Sequence, residues 1–353
     1  MNNKIVGWDI GGAHVKAALI DLDKQIIQVI QRPCPLWQGM SHLQLAVAEI
    51  VQQWGDLSGP QIMTMTGELV DLFNDREEGV NQLIATMSQI HLGQPLWVYA
   101  GDISFLQPAD VLPRHIDHIA SANWRASARY SAEQQDSGFF VDIGSTTTDI
   151  LLFNKGLIQG QAVTDFQRLC SRELIYTGIV RTPLMAITQT IDFKGQSVGV
   201  MAEHFATMAD VYRIAGVLDE SHDQLPAADG GDKTVSHSLR RLARMIGCDV
   251  NDYAISDWQA LAEQFKSQQI LRIQRAVEKQ WLDEPDGVRK CLVGAGIGRF
   301  LVREIAEQMA FEYLDFNDLF ADQKQKESGI SLADCAPAVA VAKLWQQYNY
   351  CVN

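Results

Sequence analysis

Short apolar runs recur along the chain, and they predict two series of strands and helices. Runs rich in Val, Ile and Phe are typical of buried strands, and apolar residues at helical spacing indicate amphipathic helices. On these signals the first half carries strands at 5–10, 15–20, 25–30, 62–65 and 95–100, and helices at 43–54, 80–90 and 114–134. The second half begins the same order again, with strands at 139–143, 148–153 and 157–163 and a helix at 166–176.

The repeated order of elements indicates the fold class. Three strands followed by alternating helices and strands resemble a ribonuclease-H-like unit, so we expect an α/β protein with two such domains and an interdomain cleft. The predicted domains are 1–135 and 136–353, the second with a helical insertion at about 203–285. A strand–turn–helix unit returns at 292–310, and we expect a last helix at 334–347 to pack across the domain junction.

Each series contains a glycine-rich hairpin, WDIGGAHVKAALID at 8–21 and FFVDIGSTTTDILLF at 139–153. Turn amides that point one way bind anionic oxygens, so each turn predicts a phosphate loop, and we expect the two loops to face each other across the cleft. The turn residues are Gly11 and Gly12 in the first copy and Gly144, Ser145, Thr146 and Thr147 in the second. Asp9 and Asp142 end the preceding strands and are predicted to hold Mg²⁺, directly or through water. A plain tight turn is the alternative for either copy alone.

Composition limits the classes of partner. A length of 353 residues with 47% hydrophobic residues fits two domains. The formal net charge of −14 disfavours nucleic acid and anionic membranes, because both attract basic surfaces. We find neither a long apolar run nor a leader pattern, and therefore expect a cytoplasmic protein. The six cysteines are scattered without a CxxC pair, which predicts free thiols rather than disulfides or a zinc site.

A third glycine motif, VGAGIG at 293–298, follows an apolar run and precedes a predicted helix. Glycines at such a turn let the backbone approach a nucleotide or phosphate, so Gly294 and Gly296 are candidate binding residues. A close crossing of strand and helix explains the same glycines.

The order of the three motifs resembles the superfamily of actin, Hsp70 and sugar kinases, and DIGG with STTTD resembles its hydantoinase/oxoprolinase branch. Further segments narrow the resemblance to tetrahydromethanopterin-linked one-carbon-transfer pathway proteins of methylotrophs and methanogens. These segments are MTGELVDLF at 65–73, SANWRA at 121–126, RTPL at 181–184 and EHFATMADVYRI at 203–214. The resemblance implies a transferase of methanofuran-type cofactor biosynthesis. It would join an aminomethyl-furan-methyl diphosphate to the phenol oxygen of γ-glutamyltyramine and release diphosphate.

Several polar residues fit that chemistry, and Asp9 and Asp142 are alternative candidates for the base that takes the phenol proton. Lys16 shares a strand face with His14 and is expected to reach an anionic oxygen, or else to be a solvated surface lysine. His14 either contacts the substrate or is only hydrogen-bonded within the turn. His14 stands where superfamily members carry Thr, Ser or Asn, which puts ATP binding in doubt. Glu68 and Asp71 follow a predicted strand and are candidates for a base, a metal ligand or an ammonium partner, or else for helix capping.

Other candidates have equally plain structural explanations. Asn123 and Arg125 flank Trp124 and would suit an aromatic ring with a diphosphate or carboxylate, but a core tryptophan beside a surface ion pair explains them too. Arg181, Asp210 and Arg213 are further polar groups at positions that recur in the family, and an internal ion pair at i, i+3 explains the last two. Candidate cations for the glutamyl carboxylates are Lys233, Arg240, Arg241 and Arg244, with a solvated helix face as the alternative. The loop at 226–233 has the composition of an exposed segment and is a candidate lid.

Three functions therefore compete: the ether-forming transferase, a magnesium- and ATP-dependent small-molecule kinase of the same fold, and a non-catalytic nucleotide-binding sensor. The first two act on small molecules, and a homodimer is compatible with all three. Diphosphate binding without ATP consumption distinguishes the transferase.

Overall fold

The structure is a computed structural model that describes residues 4–55, 57–90, 95–160, 162–282, 287–321, 323–325 and 329–350. Its strands are β1 (Lys4–Ile10), β2 (His14–Asp21), β3 (Ile26–Pro33), β4 (Gln61–Met65), β5 (Leu96–Tyr99), β6 (Phe105–Leu106), β7 (Gly138–Ile143), β8 (Thr148–Asn154), β9 (Leu157–Ile158), β10 (Leu174–Ile175), β11 (Thr190–Phe193), β12 (Gln196–Gly199), β13 (Cys291–Ala295), β14 (Glu312–Asp315) and β15 (Lys324–Gln325). Its α-helices are α1 (Ser41–Trp54), α2 (Arg76–Ile90), α3 (Ile116–Ile119), α4 (Asn123–Gln135), α5 (Asp165–Ser171), α6 (Met208–Ile214), α7 (Val235–Arg244), α8 (Ile255–Leu282), α9 (Arg299–Met309) and α10 (Ala336–Tyr350).

The first sheet has the strand order β15-β3-β2-β1-β4-β5-β6. Strands β1, β2 and β3 are antiparallel neighbours, while β4 is parallel to β1 and β5 is parallel to β4. Strand β1 is buried along almost its whole length, which explains why its sequence is a nearly continuous apolar run. Helix α10 packs on β1, β2 and β4, so the last helix of the chain covers the first strand.

Close packing of α10 on β1 depends on one glycine. A Cβ atom added at Gly7 would overlap the main-chain oxygen of Ala338 in α10. The strand and helix backbones are therefore in contact at this point, which a larger residue would prevent.

The second sheet repeats the order of the first. Its strands run β10-β8-β7-β13-β14, and β9 also pairs with β8. The hairpin strands β7 and β8 thus correspond to β1 and β2, and β13 and β14 to β4 and β5. This duplication confirms the predicted α/β fold with two ribonuclease-H-like sheets.

The chain forms two compact units. One contains Met1–Phe140, Leu151–Ser171 and Leu314–Asn353, and the other contains Val141–Ile150 and Arg172–Tyr313. The proposed boundary near residue 135 stays a prediction. The stretch from 203 to 282 is mainly helical, as expected, and is built from α6, α7 and α8. In the described part of the chain, no helix is both long and apolar enough to cross a membrane.

Three predicted elements are wrong in extent. The helix predicted at 114–134 is divided into α3 and α4, because Ser121 has a φ of 51° that a right-handed helix does not allow. The helix predicted at 166–176 stops at Ser171, because Arg172 has a φ of 63°. The strand predicted at 157–163 ends at Ile158, and Gln161 within that range lies outside the described residues.

Candidate functional site

The turn between β7 and β8 is held in place by backbone hydrogen bonds. Within the turn, the amide of Gly144 donates to the carbonyl of Thr147 at 2.9 Å. From the following segment, the amides of Val180 and Arg181 both donate to the carbonyl of Ser145, at 3.1 and 2.9 Å. The side chains of this turn remain partly exposed, so the loop is fixed and still accessible.

The turn between β1 and β2 has the same construction. The amide of Gly11 donates to the carbonyl of His14 at 3.0 Å, and the carbonyl of Gly12 accepts from the amide of Leu36 at 3.0 Å. Position by position, Gly11 and Gly12 therefore correspond to Gly144 and Ser145. The duplication extends from the sheet order to individual hydrogen bonds of the loops.

The charges near the two loops differ although the backbones agree. In the first hairpin, Asp9 on β1 is the register partner of Lys16 on β2, which places both side chains on one face of the sheet. The residue seven positions after Asp142 in the second hairpin is Asp149 instead of a lysine. The first loop thus has a carboxylate beside a cation, and the second motif has two carboxylates. Asp149 was not singled out from the sequence, although aligning the two motifs points to it.

A buried thiol lies close to the first pair. Cys335 is fully buried, and burial raises the pKa of its thiol to about 12. The charges of Lys16 and Asp9 also act on this pKa, in opposite directions. Asp9 itself is 6% exposed, so its carboxylate is largely shielded from solvent.

The glycines of the third motif contact the second hairpin or the core. A Cβ atom added at Gly294 would lie 2.7 Å from the ring of Tyr313 on β14 and 3.2 Å from the Cβ of Val302 on α9, and the second contact favours the close strand–helix crossing considered from the sequence. Gly296 has a φ of 76° and lies against the carboxylate of Asp142. The amide of Gly298 donates to the carbonyl of Ile143 at 2.8 Å. The motif therefore supports the end of β7, and ligand binding by Gly294 and Gly296 stays a prediction.

Glu68 is a buried carboxyl group of the first unit. It is 1% exposed, and burial raises its pKa, as does the nearby charge of Asp165. The hydroxyl of Ser121 donates to Glu68 Oε1 at 2.7 Å and lies 3.3 Å from Asp165 Oδ2. Glu68 Oε2 has no hydrogen-bond partner among the described residues. Such an unsatisfied buried oxygen is costly and is typical of a functional group.

Asp71 does not share this environment, because it is exposed in the turn that follows. Neither residue caps helix α2, since this helix begins at Arg76 and its first turn is capped by Asp75, which accepts from the amide of Glu78 at 2.8 Å. Ser121 and Asp165 were missed at the sequence level, because nothing in the local pattern brings them to Glu68.

The residues around Trp124 form hydrogen bonds and an ion pair with other residues of the protein. Asn123 Oδ1 accepts from the amide of Trp124 at 2.8 Å, and Arg125 Nε donates to Asp102 Oδ1 at 3.0 Å, with a second contact between the same side chains. Trp124 is buried, and the guanidinium of Arg168 lies 4.0 Å from its ring centroid. This arrangement favours the alternative of a core tryptophan beside an ion pair, and diphosphate binding by Asn123 and Arg125 stays a prediction.

In the second unit, Arg241 holds the candidate lid. Its guanidinium is fully buried and donates to Asp229 at 2.8 Å, to Asp210 at 3.1 Å and to the carbonyl of Asp232 at 2.8 Å. Lys233 contacts Asp223 Oδ1 at 3.2 Å. The segment 226–233 is thus bound to helix α7 and to Asp223 by ion pairs. Of the other basic residues, Arg240 and Arg244 are exposed on α7.

The fold and loops define a class: an α/β protein with duplicated ribonuclease-H-like sheets, each carrying a glycine hairpin. A model of the hydantoinase/oxoprolinase family matches residues 61–345, and the chain belongs to this family. The chain is also similar to the (4-{4-[2-(gamma-L-glutamylamino)ethyl]phenoxymethyl}furan-2-yl)methanamine synthase of Methanocaldococcus jannaschii, with 27% identity over 349 residues that cover 98% of this chain and 99% of the relative.

Two further similarities agree with this placement. The synthase of the same name from Methanococcus vannielii is 26% identical over 204 residues, which cover 57% of this chain and 88% of the relative. A nucleotide-free structure of acetone carboxylase superposes with a TM-score of 0.55 at 10% identity, covering 97% of this chain and 70% of that chain. The structural likeness supports the fold alone, whereas the two relatives indicate an enzyme.

Proposed function

We propose that this protein is a transferase that joins an aminomethyl-furan-methyl diphosphate to the phenol oxygen of γ-glutamyltyramine or a closely related acceptor, with release of diphosphate. The observation that carries the proposal is the similarity, along almost the whole chain, to the Methanocaldococcus synthase, whose name describes a phenoxymethyl-furan ether. The proposed reaction serves the biosynthesis of a methanofuran-type cofactor.

The reaction needs little covalent chemistry from the protein. The bond between the furan-bearing CH₂ group and the diphosphate oxygen breaks, and the phenol oxygen forms the new ether bond and loses its proton. Positive charge that develops on the CH₂ group is stabilised by the furan ring. The enzyme must therefore bind the leaving group, orient the phenol and exclude water.

The second hairpin supports the first of these tasks. We propose that Gly144, Ser145, Thr146 and Thr147 bind the diphosphate, because the turn is partly exposed and its carbonyls are held from behind by the 179–181 segment. The corresponding residues of the first hairpin, Gly11, Gly12, His14 and Lys16, remain a sequence-based proposal for the same leaving group.

Mg²⁺ is compatible with the residues present. The described residues contain no cluster of three or more His, Cys, Asp or Glu side chains that would form a complete metal site. Magnesium commonly uses one or two carboxylates together with phosphate oxygens and water, so Asp142 suits it. Asp9 is a less favourable ligand, because the Lys16 ammonium beside it would repel the metal ion. Bound Mg²⁺ would neutralise charge on the departing diphosphate.

Glu68 is the preferred candidate for the base that takes the phenol proton. Burial and Asp165 raise its pKa, which makes its carboxylate a stronger base than an ordinary glutamate. The Ser121 hydroxyl joins Glu68 to Asp165, whose side chain is 17% exposed, and so provides a route for the proton toward solvent. Asp71, which is exposed, lacks both features.

The proposed function is tested by incubating the purified protein with Mg²⁺, the furan diphosphate and γ-glutamyltyramine. We expect mass spectrometry to detect the ether, with one diphosphate released per ether formed and no requirement for ATP. Asp142→Asn should slow the reaction about 100-fold, the scale typical of losing one electrostatic contact to a transition state. Asp110→Asn, at an exposed residue, is the matched control. ATP turnover without ether formation would instead identify a kinase.

A further inference from the structure

Glu68 lies against the first turns of helix α2, where strand-end turn and helix are in close contact. A Cβ atom added at Gly79 in α2 would lie 2.9 Å from both the Cα and the Cβ of Glu68. Arg76 is three residues before Gly79, so the two lie on the same face of the helix. The guanidinium of Arg76 is therefore near the Glu68 carboxyl group. Burial raises the pKa of Glu68, and the charge of Arg76 opposes that shift.

Each of these two side chains has a buried polar atom without a bond. Glu68 Oε2 and Arg76 Nε are both shielded from solvent, and neither has a hydrogen-bond partner in the described ranges of the chain. The ion pair between Arg76 Nη1 and Asp117 Oδ1 is 3.6 Å long, which exceeds a hydrogen bond. An unsatisfied acceptor and an unsatisfied donor are costly to bury, and one group that bonds to both would remove that cost.

Helix stability does not explain an arginine at this position. Arg76 is the first residue of α2, and the helix dipole disfavours a cation at that end. Its acidic neighbour Asp117 is exposed, so their ion pair contributes little to stability. The Arg76 side chain is itself 27% exposed, and no hydrogen bond to Asp117 fixes it. It can therefore turn outward and admit a ligand to Glu68.

The segment that carries Glu68 also packs against the turn between β1 and β2. The amide of Thr66 donates to the carbonyl of Ile10 at 2.9 Å, and a Cβ atom added at Gly12 would lie 2.8 Å from the side chain of Val70. Glu68 lies between Thr66 and Val70 in the chain. A group bound at Glu68 is therefore close to one of the loops proposed for the diphosphate, within the same unit.

We propose that Glu68 and Arg76 together bind the phenol hydroxyl of the acceptor, with Arg76 as a second catalytic residue. A hydroxyl group is both a donor and an acceptor, so it satisfies both unpaired atoms: it donates to Glu68 Oε2, and its oxygen accepts from Arg76 Nε. In the reaction the O–H bond breaks, the proton moves to Glu68, and the electron pair stays on the phenol oxygen beside the charge of Arg76. That oxygen forms the ether bond as the bond from CH₂ to diphosphate breaks. The inference rests on the proposed function for the identity of the phenol.

Arg76→Met tests the proposal in the ether-forming assay, with thermal unfolding to verify that each variant folds. We expect kcat/KM to fall about 10- to 100-fold, the range for losing a hydrogen bond from a charged group. Arg76→Lys should restore part of the activity, because the charge is kept while the Nε donor is lost. Asp117→Asn is the matched control, since it removes the acidic neighbour and leaves Arg76 in place. It should stay within about threefold of the wild type.

A second acceptor shows whether Arg76 stabilises the phenolate. The phenol of γ-glutamyl-3-fluorotyramine is more acidic than that of γ-glutamyltyramine and needs less stabilisation, so Arg76→Met should slow its reaction less. A purely structural role, or a contact of Arg76 with the diphosphate, would slow both acceptors equally. Equal losses would therefore overturn the proposal. So would an Arg76→Met variant as active as the wild type, or an Asp117→Asn variant as impaired as Arg76→Met.

The phenol 4-nitrophenol separates this proposal from the proposed function, because its ionisation is visible as a colour change and needs no furan diphosphate. We expect the wild type to raise the ionised fraction of the probe at fixed pH, and Arg76→Met to abolish that increase. If no ether forms but this Arg76-dependent ionisation occurs, the reaction is wrong and the hydroxyl site stands. If no ether forms and the ionisation is also absent, both are overturned. If the ether forms, the reaction stands and the kinetics of the two acceptors decide the site.

Discussion

Gly178→Ala should displace the turn between β7 and β8 and abolish its function, although the substitution changes no residue of that turn. A Cβ atom at this position would lie 2.6 Å from the carbonyl carbon and oxygen of Ser145 and from the amide nitrogen of Thr146. Ordinary contact begins at 3.4 Å, so loop and glycine must separate by about 0.8 Å. Forcing a group into packed backbone typically costs about 1 to 3 kcal/mol. A displacement of that size in a positioned group can lower a rate about 100-fold.

Two assays separate the catalytic effect from the structural one. Thermal unfolding reports the stability loss, and ether formation by mass spectrometry reports the rate. The matched control is Gly199→Ala, since the space around Gly199 is open and its φ is not positive. We expect the control to keep both properties. If folded Gly178→Ala formed the ether at the wild-type rate, the position of this loop would be unimportant, and the proposed diphosphate site would be refuted.

Two further predictions concern buried charges. Because the pKa of Glu68 is raised by burial and by Asp165, the folded state holds this proton more tightly than the unfolded state. Wild-type stability should therefore fall as pH rises above 4.5, and Glu68→Gln should make that fall smaller when urea unfolding is measured at pH 4.5 and 8. Parallel pH profiles of the two proteins would contradict this. Arg241→Met should cost about 3 to 5 kcal/mol, because it removes a partner of buried Asp210, whereas Arg240→Met should cost almost nothing; a loss below 1 kcal/mol by thermal unfolding would be inconsistent with a buried ion pair.

The sequence contained enough local information to predict both sheets and their hairpins. Each hairpin combines a buried apolar strand, a carboxylate at the strand end and small residues in the turn, and all three signals lie within about fifteen residues. The duplication could therefore be recognised before any long-range contact was known. The errors in element length occur where single residues such as Ser121 and Arg172 adopt positive φ, which a pattern of apolar positions does not reveal.

The ionic groups could not be predicted, because their partners are distant in the chain. Glu68 and Ser121 are separated by 53 residues, and Ser121 and Asp165 by 44. The spacing of Asp210 and Arg213 indicated their ion pair, but it did not indicate that Arg213 also contacts Glu220 and Asp223. Whether a charged residue binds a ligand depends on which acceptors the fold places around it, and a single sequence does not contain that information.

The duplicated hairpins show how one backbone can be given two chemical tasks. The backbone hydrogen bonds within each turn are equivalent, so both loops can present amides in the same way. Strand β2 places Lys16 beside Asp9, whereas the second motif has Asp149 at the corresponding position. A cation beside a carboxylate favours direct contact with an anionic oxygen and disfavours a metal ion, while two carboxylates favour the metal. We therefore expect Mg²⁺ at the second loop, and a direct contact between Lys16 and an anionic oxygen at the first.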